Sequence, residues 1–134
     1  MTLVRCFLFA ATVFIVAGCD SGPPTAEISG NVTYDGKPIE TGNISFYPRD
    51  GKGTTSGGVI INGAYTAKGV SFGEMDVRIN GSKVVGKRKL YPSDPKSPEV
   101  EERREFLPEK YHEKTTLVLD VKERTMKKDF DLKK

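Results

Sequence analysis

Tryptophan is absent, histidine occurs once and cysteine twice in the 134 residues, and each scarcity removes a class of function. A zinc-dependent catalytic centre draws on about three protein ligands, most often histidine, and His112 alone does not furnish one. Both cysteines, Cys6 and Cys19, fall near the start. The rest of the chain therefore has no thiol for redox or nucleophilic work and no disulfide. No apolar run is long enough to cross a bilayer either. The uncharged stretch from Cys6 to Cys19 would reach about 21 Å as a helix, against about 30 Å of hydrocarbon. Charge of one sign is also lacking. After residue 18 there remain 20 Lys and Arg against 18 Asp and Glu, a net +2, which gives no domain-wide pull toward nucleic acid.

What is present begins with a secretory pattern: a short positive start ending at Arg5, the apolar run, then small residues. Val16-Ala17-Gly18-Cys19, followed by the polar Asp20-Ser21-Gly22, resembles the bacterial lipobox. That resemblance implies a diacylglyceryl thioether on Cys19, cleavage just before it, and often acylation of the new amino terminus. Ala17 and Gly18 are small enough for the backbone to enter a peptidase site. One acyl chain binds reversibly, whereas two or three hold a protein on a bilayer at about 0.8 kcal/mol per buried CH₂. The expected organisation is a lipoprotein signal peptide over 1–18, a lipidated cysteine and tether over 19–26, and one domain over 27–134. The state implied is anchored to a membrane on its extracytoplasmic face, periplasmic or surface. Asp20 resembles an inner-membrane retention signal of some bacteria and leaves the choice of membrane open.

The domain reads as strands. Ile28, Gly30, Val32 and Tyr34 share one face of a period-2 segment that stops at Asp35-Gly36. Ile44 and Phe46 share a face of the next segment, which ends at Pro48. Residues 49–58 are a loop by composition. Val59–Ile61, Asn62-Gly63 and Tyr65 read as a hairpin. Met75, Val77 and Ile79 form the cleanest alternation, Lys83–Leu90 a further strand, and Leu117, Leu119, Val121, Phe130 and Leu132 the last ones. Seven or eight such strands predict an all-β fold, an antiparallel β-sandwich. Tyr91–Lys110, with four prolines, has no strand period. Within it Ser97 is positioned to cap a short helix, with Pro98 first and Phe106 near its end.

Three blocks, GNVTYDGKPIETGNISFYP, FGEMDVRI, and FLPEKY followed by TTLVLDV and DFDL, together resemble small bacterial lipoproteins carrying a transthyretin-like, or carboxypeptidase regulatory-like, domain. The resemblance spans about residues 27–132 and implies a seven-stranded, prealbumin-like sandwich, commonly without known activity. Where the family often has a proline-glycine pair, this chain has Ser71-Phe72-Gly73. The same fold hosts a hydrolase of a urate-pathway intermediate that relies on several histidines and a C-terminal tyrosine-arginine-glycine-serine motif; this chain ends FDLKK.

Other chemistry is hard to find. Gly53-Thr54-Thr55-Ser56-Gly57 misplaces the serine of a nucleophile elbow, and Gly51-Lys52-Gly53-Thr54 lacks the upstream glycine of a phosphate loop. His112 reads as polar surface, and Glu101, Glu102 and Glu105, interleaved with Arg103 and Arg104, as a solvated face with local ion pairs. No cofactor or metal is expected. The candidate contact surface is the basic run Lys83, Lys87, Arg88 and Lys89. Held close to lipid by a tether of about 20 Å, those cations would reach anionic headgroups at about 1 kcal/mol each. With Tyr91–Lys110 they are the place for an envelope protein or polysaccharide to bind. Tyr47, Tyr91 and Tyr111 are the aromatic platforms open to a sugar. Three expectations follow: a non-catalytic binding or scaffolding module, an envelope spacer without a ligand, and, at low weight, a hydrolase.

Overall fold

The computed structural model describes residues 22–134. The expected signal peptide, and Val16, Ala17, Gly18 and Cys19 with it, lie outside the described residues. Side-chain alternation builds the body. In β1 (Thr25–Tyr34), Ala26, Ile28, Gly30 and Val32 turn inward and their neighbours outward. Ala26 already packs in the core, so the packed body includes part of the stretch expected to be tether. Asp35 and Gly36, both at positive φ, turn the chain into β2 (Lys37–Pro38), and β3 (Thr41–Pro48) follows. Next, β4 (Ser56–Ile61) and β5 (Ala64–Ser71) are joined by Asn62-Gly63, again both at positive φ. Such two-residue turns match the right-handed twist of the strands they join.

β6 (Gly73–Lys89) runs 17 residues and is followed by β7 (Glu99–Glu105). A 3₁₀ turn (Glu109–Tyr111), β8 (Val118–Val121), β9 (Thr125–Lys127) and β10 (Phe130–Leu132) complete the chain. The ten strands make one curled, mainly antiparallel sheet with the order β10-β1-β5-β4-β3-β6-β7. β8 pairs with the start of β6, while β9 and β10 run parallel to β1. Residues 122–124, between β8 and β9, thus carry the chain from one side of the curl to the other. The protein is all-β; among the described residues there is no α-helix and no helix long and apolar enough to cross a membrane.

Inside the curl, Ile28, Phe46, Ile60, Val77 and Ile79 have no exposed surface. Burying each side chain of this size contributes about 1.5–3 kcal/mol, and without disulfides this core carries the fold. Close backbone contacts set its shape. A methyl group on Gly30 would collide with the Lys128 carbonyl oxygen, which Tyr65 holds in place by donating its hydroxyl hydrogen at 2.7 Å.

Two local expectations are corrected. The loop over 49–58 ends early, because Gly57 and Gly58 are already in β4, paired with Ser45 and Ile44. A Cβ on Gly58 would meet the Thr66 carbonyl oxygen, so glycine there permits close strand approach. The short helix after Ser97 does not form: Glu99–Glu105 is β7, hydrogen-bonded to the far half of β6. A helix of two turns offers few backbone bonds and no apolar stripe to bury, whereas pairing with an existing strand satisfies the same backbone groups at once. Ser97 instead accepts a hydrogen bond from the Tyr91 amide at 2.7 Å, closing the loop that joins the two strands.

Burial and, secondarily, the negative charge of Asp129 raise the Tyr65 pKa well above its ordinary 10.0. Below about pH 10 both folded and unfolded chains keep this proton, so Tyr65 adds no pH dependence there. Above it the unfolded chain ionises first and stability falls as pH rises. Denaturant midpoints between pH 9 and pH 11.5 are expected to fall less steeply in Tyr65→Phe than in the wild type; equal slopes would contradict the burial of this hydroxyl.

Candidate functional site

β6 serves two structures. From Gly73 to Gly81 it belongs to the body, pairing with β8 over Gly73–Asp76 and with β3 over Met75–Gly81, and buries Met75, Val77 and Ile79. Past Gly81 its pairing with β3 stops, and residues Ser82–Lys89 pair only with β7. The result is a two-stranded arm, closed by the loop over 90–98, that leaves the body. At its root the Glu105 carboxylate accepts hydrogen bonds from the Gly81 amide at 3.0 Å, the Phe106 amide at 2.9 Å and the Leu107 amide at 2.8 Å. A second oxygen takes the Asn80 side-chain amide at 3.0 Å. One carboxylate at the end of β7 thus gathers donors from β6 and from the segment that re-enters the body.

The arm and Thr25, where β1 begins, occupy opposite ends. Thr25 pairs with Ser71, two residues before β6 begins. Tyr34, at the other end of β1, packs edge-on against Phe106 at the arm's root, ring centroids 5.8 Å apart. At about 3.3 Å per residue, β1 and the arm together measure on the order of 50 Å from Thr25 to the tip.

Pairing also divides the basic run. Directly opposed residues point to the same face of a ribbon, and a bulge between Val84 and Gly86 shifts the register. Lys87 and Lys89 stand opposite Glu101 and Glu99 on one face; Lys83 stands opposite Arg104 and Arg88 opposite Val100 on the other. The four cations are therefore two pairs, not one patch. Glu101 and Glu102 bond within their own strand, to Arg103 and Arg104 at 2.9 and 2.8 Å. Such exposed pairs stabilise little, but one of them occupies Glu101, the carboxylate opposite Lys87. Lys89 reaches the Pro95 carbonyl oxygen at 3.3 Å, and among the described residues Lys83, Lys87 and Arg88 form no ion pair. Val84, Val85, Leu90 and Tyr91 are exposed alongside them, Tyr91 to 61 %.

Sequence reasoning missed the groove at the arm's root, about 240 Å³, lined by Tyr34, Lys37, Pro38, Ile39, Glu40, Ser82, Lys83 and Phe106. Its parts come from three distant stretches, and only strand pairing brings them together. Lys83 lies over the Phe106 ring at 6.0 Å. The Tyr34 pKa is raised, by burial first and then by the charges of Asp35 and Tyr111. His112 is partly buried and its Nε2 lies 3.1 Å from the Leu107 carbonyl oxygen. Tyr111 donates to the Lys133 carbonyl at 2.6 Å and accepts from the Lys133 amide at 2.8 Å, whereas Tyr47 lies beneath Arg78 at 4.4 Å. Of the three aromatic platforms, Tyr91 alone stands on the arm. Among the described residues no three metal-ligating side chains cluster.

No protein-family model matches the chain, and no curated protein matches its sequence. A 9R-lipoxygenase from Cyanothece is similar over 85 % of this chain and 17 % of its own length, at 13 % identity and a TM-score of 0.40. The chain thus spans about a sixth of that protein, and so distant a likeness carries no functional argument.

Because the arm contributes no body core, replacing residues 85–102 by Asn-Gly, which joins Val84 directly to Arg103 through a two-residue turn, is expected to leave thermal stability within about 1 kcal/mol of the wild type. Calorimetry checks this, and a loss of several kcal/mol would show that the arm supports the body.

Proposed function

We propose that this chain is a lipid-anchored module of the cell envelope, a non-catalytic β-sandwich of about seven strands and transthyretin-like type, that holds its arm out to a binding partner. The observation that supports this most is the separation of the two ends. A chain tethered through Cys19 attaches to the body at Thr25, and the arm leaves from the far end of β1. The basic run then points away from the bilayer that holds the anchor. In this orientation its cations serve a partner rather than the anchoring membrane's headgroups, which replaces the lipid-contact expectation. For the sandwich, the support is a core shared by the β1–β5 side of the curl and the β3–β6–β8 side, with β4 between them.

Mass spectrometry of the native protein is expected to find a mature amino terminus at Cys19 carrying the mass of acyl chains, with the protein in the membrane fraction. Cys19→Ala is expected to abolish the added mass and the cleavage before residue 19. An unmodified Cys19 in the wild type would overturn the localisation. Crosslinking in intact envelopes separates binder from spacer, since a binder loses its crosslinked product when residues 85–102 are replaced and a spacer has none to lose.

A further inference from the structure

The outer half of β6 has a free edge. β3 pairs with β6 only as far as Gly81, and β7 occupies the opposite side, so backbone groups of Lys83–Lys89 on the β3 side have no strand partner among the described residues. Lys37–Glu40 lead directly into β3, which puts them on that same side. The apolar groove therefore adjoins the free edge at its root. Its floor is Tyr34, Ile39 and Phe106, and its rim carries Lys37, Lys83 and a single acid, Glu40. Further out on the face that holds Lys83 stands Arg88, opposite the uncharged Val100.

Exposed strand edges recruit extended segments, with backbone bonds giving affinity and side-chain pockets giving specificity. Lysines along an edge repel a second copy, whose own lysines would approach them, but they attract a strand of opposite charge. A space of 240 Å³ has room for one large apolar side chain, since about 150 Å³ holds a benzene ring, and is smaller than the roughly 300 Å³ at which small-molecule pockets begin.

We infer that the arm binds an extended acidic polypeptide segment as an added strand on the free edge of β6, with one apolar side chain of that segment in the groove and its carboxylates facing Lys37, Lys83 and Arg88. This rests on the reading of the chain as a binding module and names the class of its partner.

The test uses the full-length protein in detergent micelles and three fluorescent peptides: acetyl-ESESLSESE-amide, the same peptide with glycine for leucine, and acetyl-KSKSLSKSK-amide. The first places its leucine and its acids on one face of a strand. It is expected to bind at least tenfold more tightly than either control, to weaken at least tenfold in the doubly substituted Lys37→Glu/Lys83→Glu protein, and to shift the amide resonances of residues 83–89. Both lysines are exposed, so the variant should fold, and an unchanged melting temperature would confirm it. Equal binding of the glycine peptide, no binding of the leucine peptide at millimolar concentration, or shifts confined to residues outside the arm and groove would overturn the proposal. So would an acidic polysaccharide such as heparin binding more tightly than the peptide, with the same sensitivity to the double substitution. Failure here alongside an arm-dependent crosslink in envelopes would reject the partner class while leaving the binding module intact.

Discussion

Strand pairing along β6 is the constraint from which both parts of the molecule follow. As far as Gly81 the strand is held by β3, over its first residues by β8 as well, and its alternate side chains are sealed in the core. Beyond that point it keeps one neighbour and becomes the spine of an arm. The change comes from the partner, since β3 starts at Thr41, which by register lies opposite Ser82, and has nothing to offer a residue beyond that. Glu105 makes the transition rigid by drawing the amides of Gly81, Phe106 and Leu107 onto one carboxylate. Charge-assisted hydrogen bonds are stronger than neutral ones, so the arm's direction is set at its root rather than along its length.

The body answers to a different constraint, the near approach of backbones inside a curled sheet. β9 and β10 run parallel to β1, and a carbonyl between them, that of Lys128, sits where a side chain at position 30 would have to go. The Tyr65 hydroxyl bonds that carbonyl, so one phenol fills the interior and satisfies a backbone group together. The outer surface, by contrast, carries scattered ion pairs such as Arg49 with Asp76 at 3.1 Å, which matter more for solubility than for stability.

How much of this was legible follows from which forces are local. Alternation exposes the buried faces of β1, β3, β6 and β10 directly, and Asp35-Gly36 and Asn62-Gly63 announce their turns because both demand positive φ. The arm was half legible. Lys83–Leu90 reads as a strand, but its continuity with Met75–Ile79 is hidden by Gly81, which resembles a turn residue and is instead an unbroken part of the ladder. β7 was misread because Ser97-Pro98 mimics a helix start, and its charges alternate without an apolar face to reveal a period of two. The groove was invisible, since its walls belong to residues 34–40, 82–83 and 106. The cations of the basic run were found, but not their division between two faces, which depends on a register and a bulge that only the partner strand fixes.

The physical picture is a rigid body and a hydrogen-bonded arm of lower local stability, joined through one continuous strand. Local opening free energy tracks buried contacts, and these end at Gly81. Hydrogen exchange of the β6 amides measures this most directly. Amides from Met75 to Arg78 are expected to exchange only through global unfolding, and those between Lys83 and Lys89 that face β7 orders of magnitude faster yet still more slowly than an unstructured chain, with the step falling beside Gly81. Uniform protection along all of β6, or no protection beyond Ser82, would contradict the account.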